Sequence, residues 1–303
     1  MHFIKILILL FITNIMLAKD IKTKVIAFAQ DDMSNDFRKA QVLEAKEEVT
    51  KYKNIKFIYS DAKAQTSLLI ANIDKYIESD VDAIIVGTND ENALNIVLEK
   101  AAKKNVKVII LDRGVSTDKY TTFINSDNIE IGQIGAQYIA KKLKNKGLIL
   151  LFEGLQSADV TKLRTRGFMD EISQHKNIKV IKRTGNYLRR DAIIEMEKLI
   201  GSGIKVDAVF GESDSMISGV RSVLLKHNID PSTIVTVGCD YTSEAQEAIR
   251  KGLQTGSVLF PLGGTQSVQT AVKLFNNEEV AKHIVIPVKL VTKDNVEMVN
   301  PIF

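Results

Sequence analysis

From Lys24 onward, short apolar runs alternate with longer stretches in which apolar residues recur every three or four positions. The runs Val25–Ala29, Ile55–Tyr59, Ala83–Val86 and Val106–Leu111 predict strands, and helical spacing falls between them, near Phe37–Tyr52, Ser67–Glu78 and Ala93–Lys104. Strands separated by helices in this way build right-handed βαβ units and a parallel sheet. The series then restarts. Gly132–Lys144 reads as a helix, followed by strands at Leu148–Phe152, Ile178–Ile181, Ala208–Phe210 and Ile234–Val237. The intervening helices fall at Thr161–Ser173, Ala192–Ile200, Met216–Lys226 and Ser243–Arg250. An internal echo, Asp82-Ala83-Ile84-Ile85-Val86-Gly87 against Asp207-Ala208-Val209-Phe210-Gly211, fits two similar halves. The pattern therefore predicts an α/β fold of two doubly wound parallel-sheet lobes. No proline- or serine-rich linker separates them, so short structured segments must cross between them. Phe123-Ile124-Asn125 and Val258-Leu259-Phe260-Pro261 are the candidates. Several such crossings would form a hinge.

At 303 residues the chain can hold two domains, and 45% apolar with 26% charged residues is the composition of a soluble globular protein. The start changes the picture. His2 and Lys5 precede an apolar stretch from Ile6 to Leu17, then Ala18 and the polar Lys19-Asp20. This predicts a secretory signal cleaved near Ala18 and export to the periplasm. Removing Lys5 with it leaves 40 basic and 37 acidic residues. That balance, without a basic cluster, argues against nucleic-acid binding. The single cysteine, Cys239, permits no intramolecular disulfide and sits in an apolar strand pattern, as a buried inert thiol would.

Enzymatic signatures are missing. The histidines, His2, His175, His227 and His283, are far apart and lack metal-ligand spacing, and there is no P-loop and no GxGxxG after the first strand. Gly263-Gly264 reads as a turn or helix start. No metal, no cofactor and no catalytic residue is expected. Polar residues do recur where strands end: Gln30-Asp31-Asp32, Asp112-Arg113, Glu212-Ser213-Asp214 and Asp240. In open parallel sheets ligands bind beyond these carboxyl ends. Asp112 accepts hydrogen bonds and Arg113 donates up to five, which suits a ligand rich in hydroxyls or carrying a carboxylate; the same pair, taken alone, also serves to solvate a strand end. Two facing lobes would gather all four groups into one cleft.

Leu111-Asp112-Arg113, Ser126-Asp127-Asn128 before a helix, Arg164-Thr165-Arg166-Gly167-Phe168 and Gly238-Cys239-Asp240, in this order and spacing, resemble the periplasmic sugar-binding proteins of the ribose-binding type. Phe28-Ala29-Gln30 with Phe37-Arg38 is most similar to the galactofuranose-binding branch. The resemblance implies two lobes, 19–125 plus 261–289 and 126–260 plus 290–303, joined by three crossings with a sugar between them. It matches Asp112 and Arg113 to an acid–arginine pair that grips ring hydroxyls, Arg164 to a second arginine from the other lobe, Tyr187 to an aromatic over one sugar face, and Asp240 to an accepting acid. Phe37 stands either over the opposite face or on the core side of its helix; Arg38 and Gln30 add polar contacts. Ser213 replaces the family's asparagine, with Asp214 beside it, and Leu259 or Phe260 replaces a glutamine. The implied function is capture of a pentose, hexose or furanose by hinge closure and delivery to an ABC permease. The alternative is presentation of a sugar or furanosyl signal to a chemoreceptor or sensor kinase. A monomer is expected. The sequence does not name the sugar.

Overall fold

A computed structural model describes residues 23–303; the signal segment read at residues 1–18 lies outside them. The first series runs β1 (Lys24–Gln30), α1 (Asp36–Val49), β2 (Ile55–Asp61), α2 (Thr66–Glu78), β3 (Ala83–Val86), α3 (Asn95–Lys103), β4 (Lys107–Leu111) and β5 (Thr122–Asn125). The second runs α4 (Asn128–Lys142), β6 (Lys146–Glu153), α5 (Asp159–Ile172), β7 (Asn177–Thr184), α6 (Arg189–Gly201), β8 (Ala208–Gly211), α7 (Asp214–Lys226), β9 (Val235–Asp240), α8 (Ser243–Arg250) and β10 (Gly256–Leu259). The chain ends with α9 (Gly264–Phe275), β11 (His283–Val285) and β12 (Lys289–Thr292).

These strands form two six-stranded sheets, ordered β2-β1-β3-β4-β5-β11 and β7-β6-β8-β9-β10-β12. Every pairing is parallel except β10 with β12. The expected doubly wound α/β architecture is thus present in both halves. Its cause is visible in the strands: β3 is buried along its whole length, because helices cover both faces of the sheet. Leu69 and Ile73 of α2 and Leu98 of α3 pack on Ala27, Ile84 and Ile110. Val42 of α1 and Val268 of α9 pack on Ile26, Phe28 and Ile109 of the opposite face. In the second sheet Met196 and Val220 lie against Leu150 and Val209, while Ile139 and Phe168 lie against Ile149, Leu151 and Phe210.

Both candidate crossings need correction. Phe123–Asn125 is not a connector: it belongs to β5 and pairs with β4 and β11, so its backbone groups are taken up by the first sheet. The chain crosses just after it, at Ser126-Asp127, where Asp127 caps α4 by accepting from the Ile129 amide at 2.9 Å. Val258 and Leu259 likewise lie in β10, and the crossing starts at Phe260 and Pro261. Gly263, at φ +80°, then turns the chain into α9, as its pairing with Gly264 suggested. A third passage, residues 286–288, joins β11 of the first sheet to β12 of the second.

One packing detail fixes a site helix. α4 and α5 approach until backbone meets backbone at two glycines. A Cβ on Gly132 would stand 2.1 Å from the Arg164 carbonyl oxygen, and one on Gly167 would stand 2.1 Å from that of Ile129.

Candidate functional site

The carboxyl ends of the two sheets face each other across a cavity lined by residues of both lobes. On the first lobe β4 ends at Leu111, and Asp112 turns into the left-handed region at φ +68°. Asp112 Oδ2 accepts from Arg38 Nη1 at 3.1 Å. Arg38 itself is fully buried and locked: Nε donates to Asp31 Oδ1 at 3.0 Å, Nη1 also to Gln41 Oε1 at 3.1 Å, and Nη2 to the Thr88 carbonyl at 2.5 Å. Arg113 is held differently. Its contacts with Asp31 Oδ2 and the Thr88 carbonyl are long, 3.4 and 3.5 Å, and its buried Nε has no protein partner. Burial and the neighbouring Arg38 push its pKa down.

On the second lobe Arg164 projects from α5. Its Nε and Nη2 donate to Asn128 Oδ1 at 3.1 and 2.7 Å, and Nη1 to the Glu212 carbonyl at 2.5 Å. The ring of Tyr187, at φ +62°, sits 5.2 Å from the Arg113 guanidinium and 6.0 Å from that of Arg164. Its hydroxyl is turned away, bonded to Thr161 Oγ1 at 2.7 Å. Asp240, at φ +102°, accepts from the Asp214 amide at 3.3 Å. Asp112, Tyr187 and Asp240, three non-glycine residues with unfavourable backbone angles around one cavity, are the kind of strain that structure stores at working sites.

Eight of the ten expected residues therefore stand on the cavity wall: Phe37, Arg38, Asp112, Arg113, Arg164, Tyr187, Ser213 and Asp240. Gln30 and Asp214 do not. Gln30 lies behind Arg38, donating to its carbonyl at 3.0 Å. The Asp214 carboxylate points into the second lobe, where Oδ2 takes the Tyr241 amide and the Ser257 hydroxyl, both at 2.7 Å, and Oδ1 takes Gln254 Nε2 at 2.8 Å. Burial pushes the Asp214 pKa up to about 6 against its four donors, and burial together with the neighbouring Asp214 pushes that of Asp240 well up. Phe37 belongs to a hydrophobic core and also lines the cavity.

Three wall residues were not foreseen. Asn35 caps α1 by accepting from the Arg38 amide at 3.1 Å, a role legible only as a helix start. Val160 opens α5. Phe260, noted in the sequence only as a departure, stacks on Phe37 with centroids 4.9 Å apart and lies 4.8 Å under the Arg164 guanidinium. Four contacts tie the lobes together around the rim. Asn35 Nδ2 donates to the Tyr187 carbonyl at 3.3 Å, the Gly114 amide to Asp159 Oδ2 at 2.8 Å, Ser157 Oγ to the Asn89 carbonyl at 2.7 Å, and Lys162 Nζ to Glu91 Oε1 at 2.5 Å.

Glu212 lies behind Tyr187 with no exposure, accepting from the Gly154 amide and the Thr165 hydroxyl, both at 2.8 Å. Burial pushes its pKa from 4.5 up to about 7, against the pull of Arg164. A carboxyl that keeps its proton longer when folded gives stability that is full below about pH 4.5 and lost as pH rises through about 7. In thermal melts between pH 5 and 8, the native protein should lose stability with rising pH more steeply than Glu212→Gln. Parallel curves would show that Glu212 titrates as an ordinary carboxyl.

Comparison with known proteins agrees with this geometry. Residues 26–279 match the model of the periplasmic binding protein domain. The ribose import binding protein of Bacillus subtilis is 28% identical over 82% of this chain and 80% of its own length. An ABC transporter solute binding protein from Bacillus halodurans, solved with bound myo-inositol, superposes with a TM-score of 0.87 at 29% identity, covering 92% of this chain and 98% of its own. The fructose-binding periplasmic domain of a hybrid two-component system superposes at 0.83 with 26% identity, covering 90% and 91%.

Proposed function

Because the chain belongs to the periplasmic binding protein domain family, we propose that it is a non-enzymatic periplasmic receptor whose lobes close on a neutral monosaccharide. It then delivers that sugar to an ABC permease. The observation that carries this reading is the charge balance of the buried cavity. Three guanidiniums, Arg38, Arg113 and Arg164, are met by the carboxyls of Asp31, Asp112 and Asp240, with Glu212 behind Tyr187 as a further acid near Arg164. A ligand with its own carboxylate would add a negative charge among these acids. Hydroxyls, by contrast, can accept from Arg113 and Arg164 and donate to Asp112, while the Tyr187 ring covers a C–H face. The relatives carry the transport part: one is a ribose import protein and another an ABC transporter solute binding protein.

A ligand that binds only the folded state raises the melting temperature. Thermal shifts against neutral pentoses, hexoses, furanoses and cyclic polyols are expected to give at least one rise of several degrees, with sugar acids giving little. A panel in which only sugar acids act would overturn the neutral assignment. A panel in which nothing polyhydroxylated acts would overturn sugar binding. The two-component neighbour favours a second reading, in which the loaded form docks on a sensor kinase. Deleting the gene separates the two: loss of uptake of the identified sugar supports delivery, and loss of a transcriptional response with uptake intact supports sensing.

A further inference from the structure

The cavity wall is uneven, and the unevenness bears on which sugars fit. Free hydrogen-bonding capacity is concentrated on Asp112, Arg113, Arg164, Ser213 and Asp240. Phe37, Phe260 and Val160 present only carbon. The Asn35 amide accepts from the Arg38 amide and gives one N–H to the Tyr187 carbonyl, which leaves it one N–H and one lone pair. The Tyr187 hydroxyl is tied back to Thr161 and Glu212 and leaves only the ring for the cavity. Phe260 is held in place on both sides, by Phe37 at 4.9 Å and by the Arg164 guanidinium at 4.8 Å, so it cannot swing away to admit a polar group. Phe260 is also almost fully buried, which keeps water from reaching a hydroxyl placed against it. A hydroxyl pressed against the Phe37 and Phe260 rings would lose its hydration and meet only carbon. A methyl or a ring methylene there would gain contact instead.

We propose that the ligand presents a deoxygenated carbon to the Phe37–Phe260–Val160 wall, so that the protein prefers deoxy sugars to their hydroxylated parents, and that Phe260 sets this preference. The proposal rests on the reading of the cleft as a sugar site. An apolar pocket rejects an added hydroxyl by about tenfold to a hundredfold.

The test is calorimetric titration of the whole protein with three matched pairs: D-fucose and D-galactose, L-rhamnose and L-mannose, 2-deoxy-D-ribose and D-ribose. At least one pair is expected to favour the deoxy member by about tenfold or more. Phe260→Gln, which restores an amide to the wall, should shrink or invert that ratio, and Phe260→Leu should preserve it. If sugars bind but the hydroxylated member is as tight or tighter in every pair, the proposal fails while sugar binding stands. Binding of none of the six overturns the deoxy preference, while sugar binding itself stands or falls on the wider thermal-shift panel. A deoxy preference that Phe260→Gln leaves untouched removes Phe260 from the assignment. The native-protein titrations decide the main point even should a Phe260 variant not fold.

Discussion

Arg113→Ala is expected to weaken sugar binding by about 1.5 kcal/mol or more, roughly tenfold, while leaving the melting temperature of the unliganded protein nearly unchanged. The two halves of this expectation come from the same geometry. Arg38 spends its donors on Asp31, Gln41, Asp112 and Thr88, so it is part of the lobe. Arg113 has only long contacts within the protein and a buried Nε without a partner. Its removal costs the fold little, because Arg38 still neutralises Asp31. A ligand hydroxyl that accepted from Arg113 would instead lose a charge-assisted bond, and the cation over Tyr187 would go with it. Calorimetry with the identified sugar checks the first half and a thermal melt the second. Unchanged affinity would remove Arg113 from the site.

A second large effect should come from a residue with no polar chemistry. Gly132→Ala is expected to cost about 3 kcal/mol of stability, at the upper end for overpacking, because the clash is with the main chain. The new Cβ would meet the Arg164 carbonyl oxygen at 2.1 Å and the Phe168 nitrogen at 2.7 Å, and neither can rotate aside. α5 must move off α4. Arg164 sits at the point of contact and would shift against Asn128, so affinity should fall as well. Gly201→Ala is the control: nothing lies within 4 Å of its Cβ position, and in a helix alanine is the better residue. Urea unfolding of the two variants checks the contrast. Equal stabilities would mean that the helices can part at no cost.

The architecture was legible because buried parallel strands read as unbroken apolar runs. Val106–Leu111 announces β4 and places Asp112-Arg113 at its end without further help. The short strands β5, β11 and β12 carry no such run. They take their identity from partners far away in sequence: His283 pairs with Phe123, and Leu290 with Val258. Of the two candidate connectors, Phe123–Asn125 is therefore strand throughout, and Val258–Pro261 is strand in its first half and crossing in its second. At the site, a strand end tells which residues are near the cleft but not which of two neighbours faces it. Ser213 reaches the wall while Asp214 is drawn inward by Gln254 and Ser257, groups some forty positions later that no local pattern connects to it. Phe260 was visible only as an odd residue in a polar place. Its importance appears once Phe37 and Arg164, from two different lobes, are seen against it.

The four rim contacts between the lobes involve only protein groups. On the proposed closure they would favour the closed arrangement by the same amount whichever sugar lies inside, and so set the closed fraction rather than the choice of ligand. Apparent affinity scales with that fraction. Every sugar's dwell time inside the cleft therefore carries a common factor, set at Gly114–Asp159 and Glu91–Lys162 and independent of the residues that recognise it.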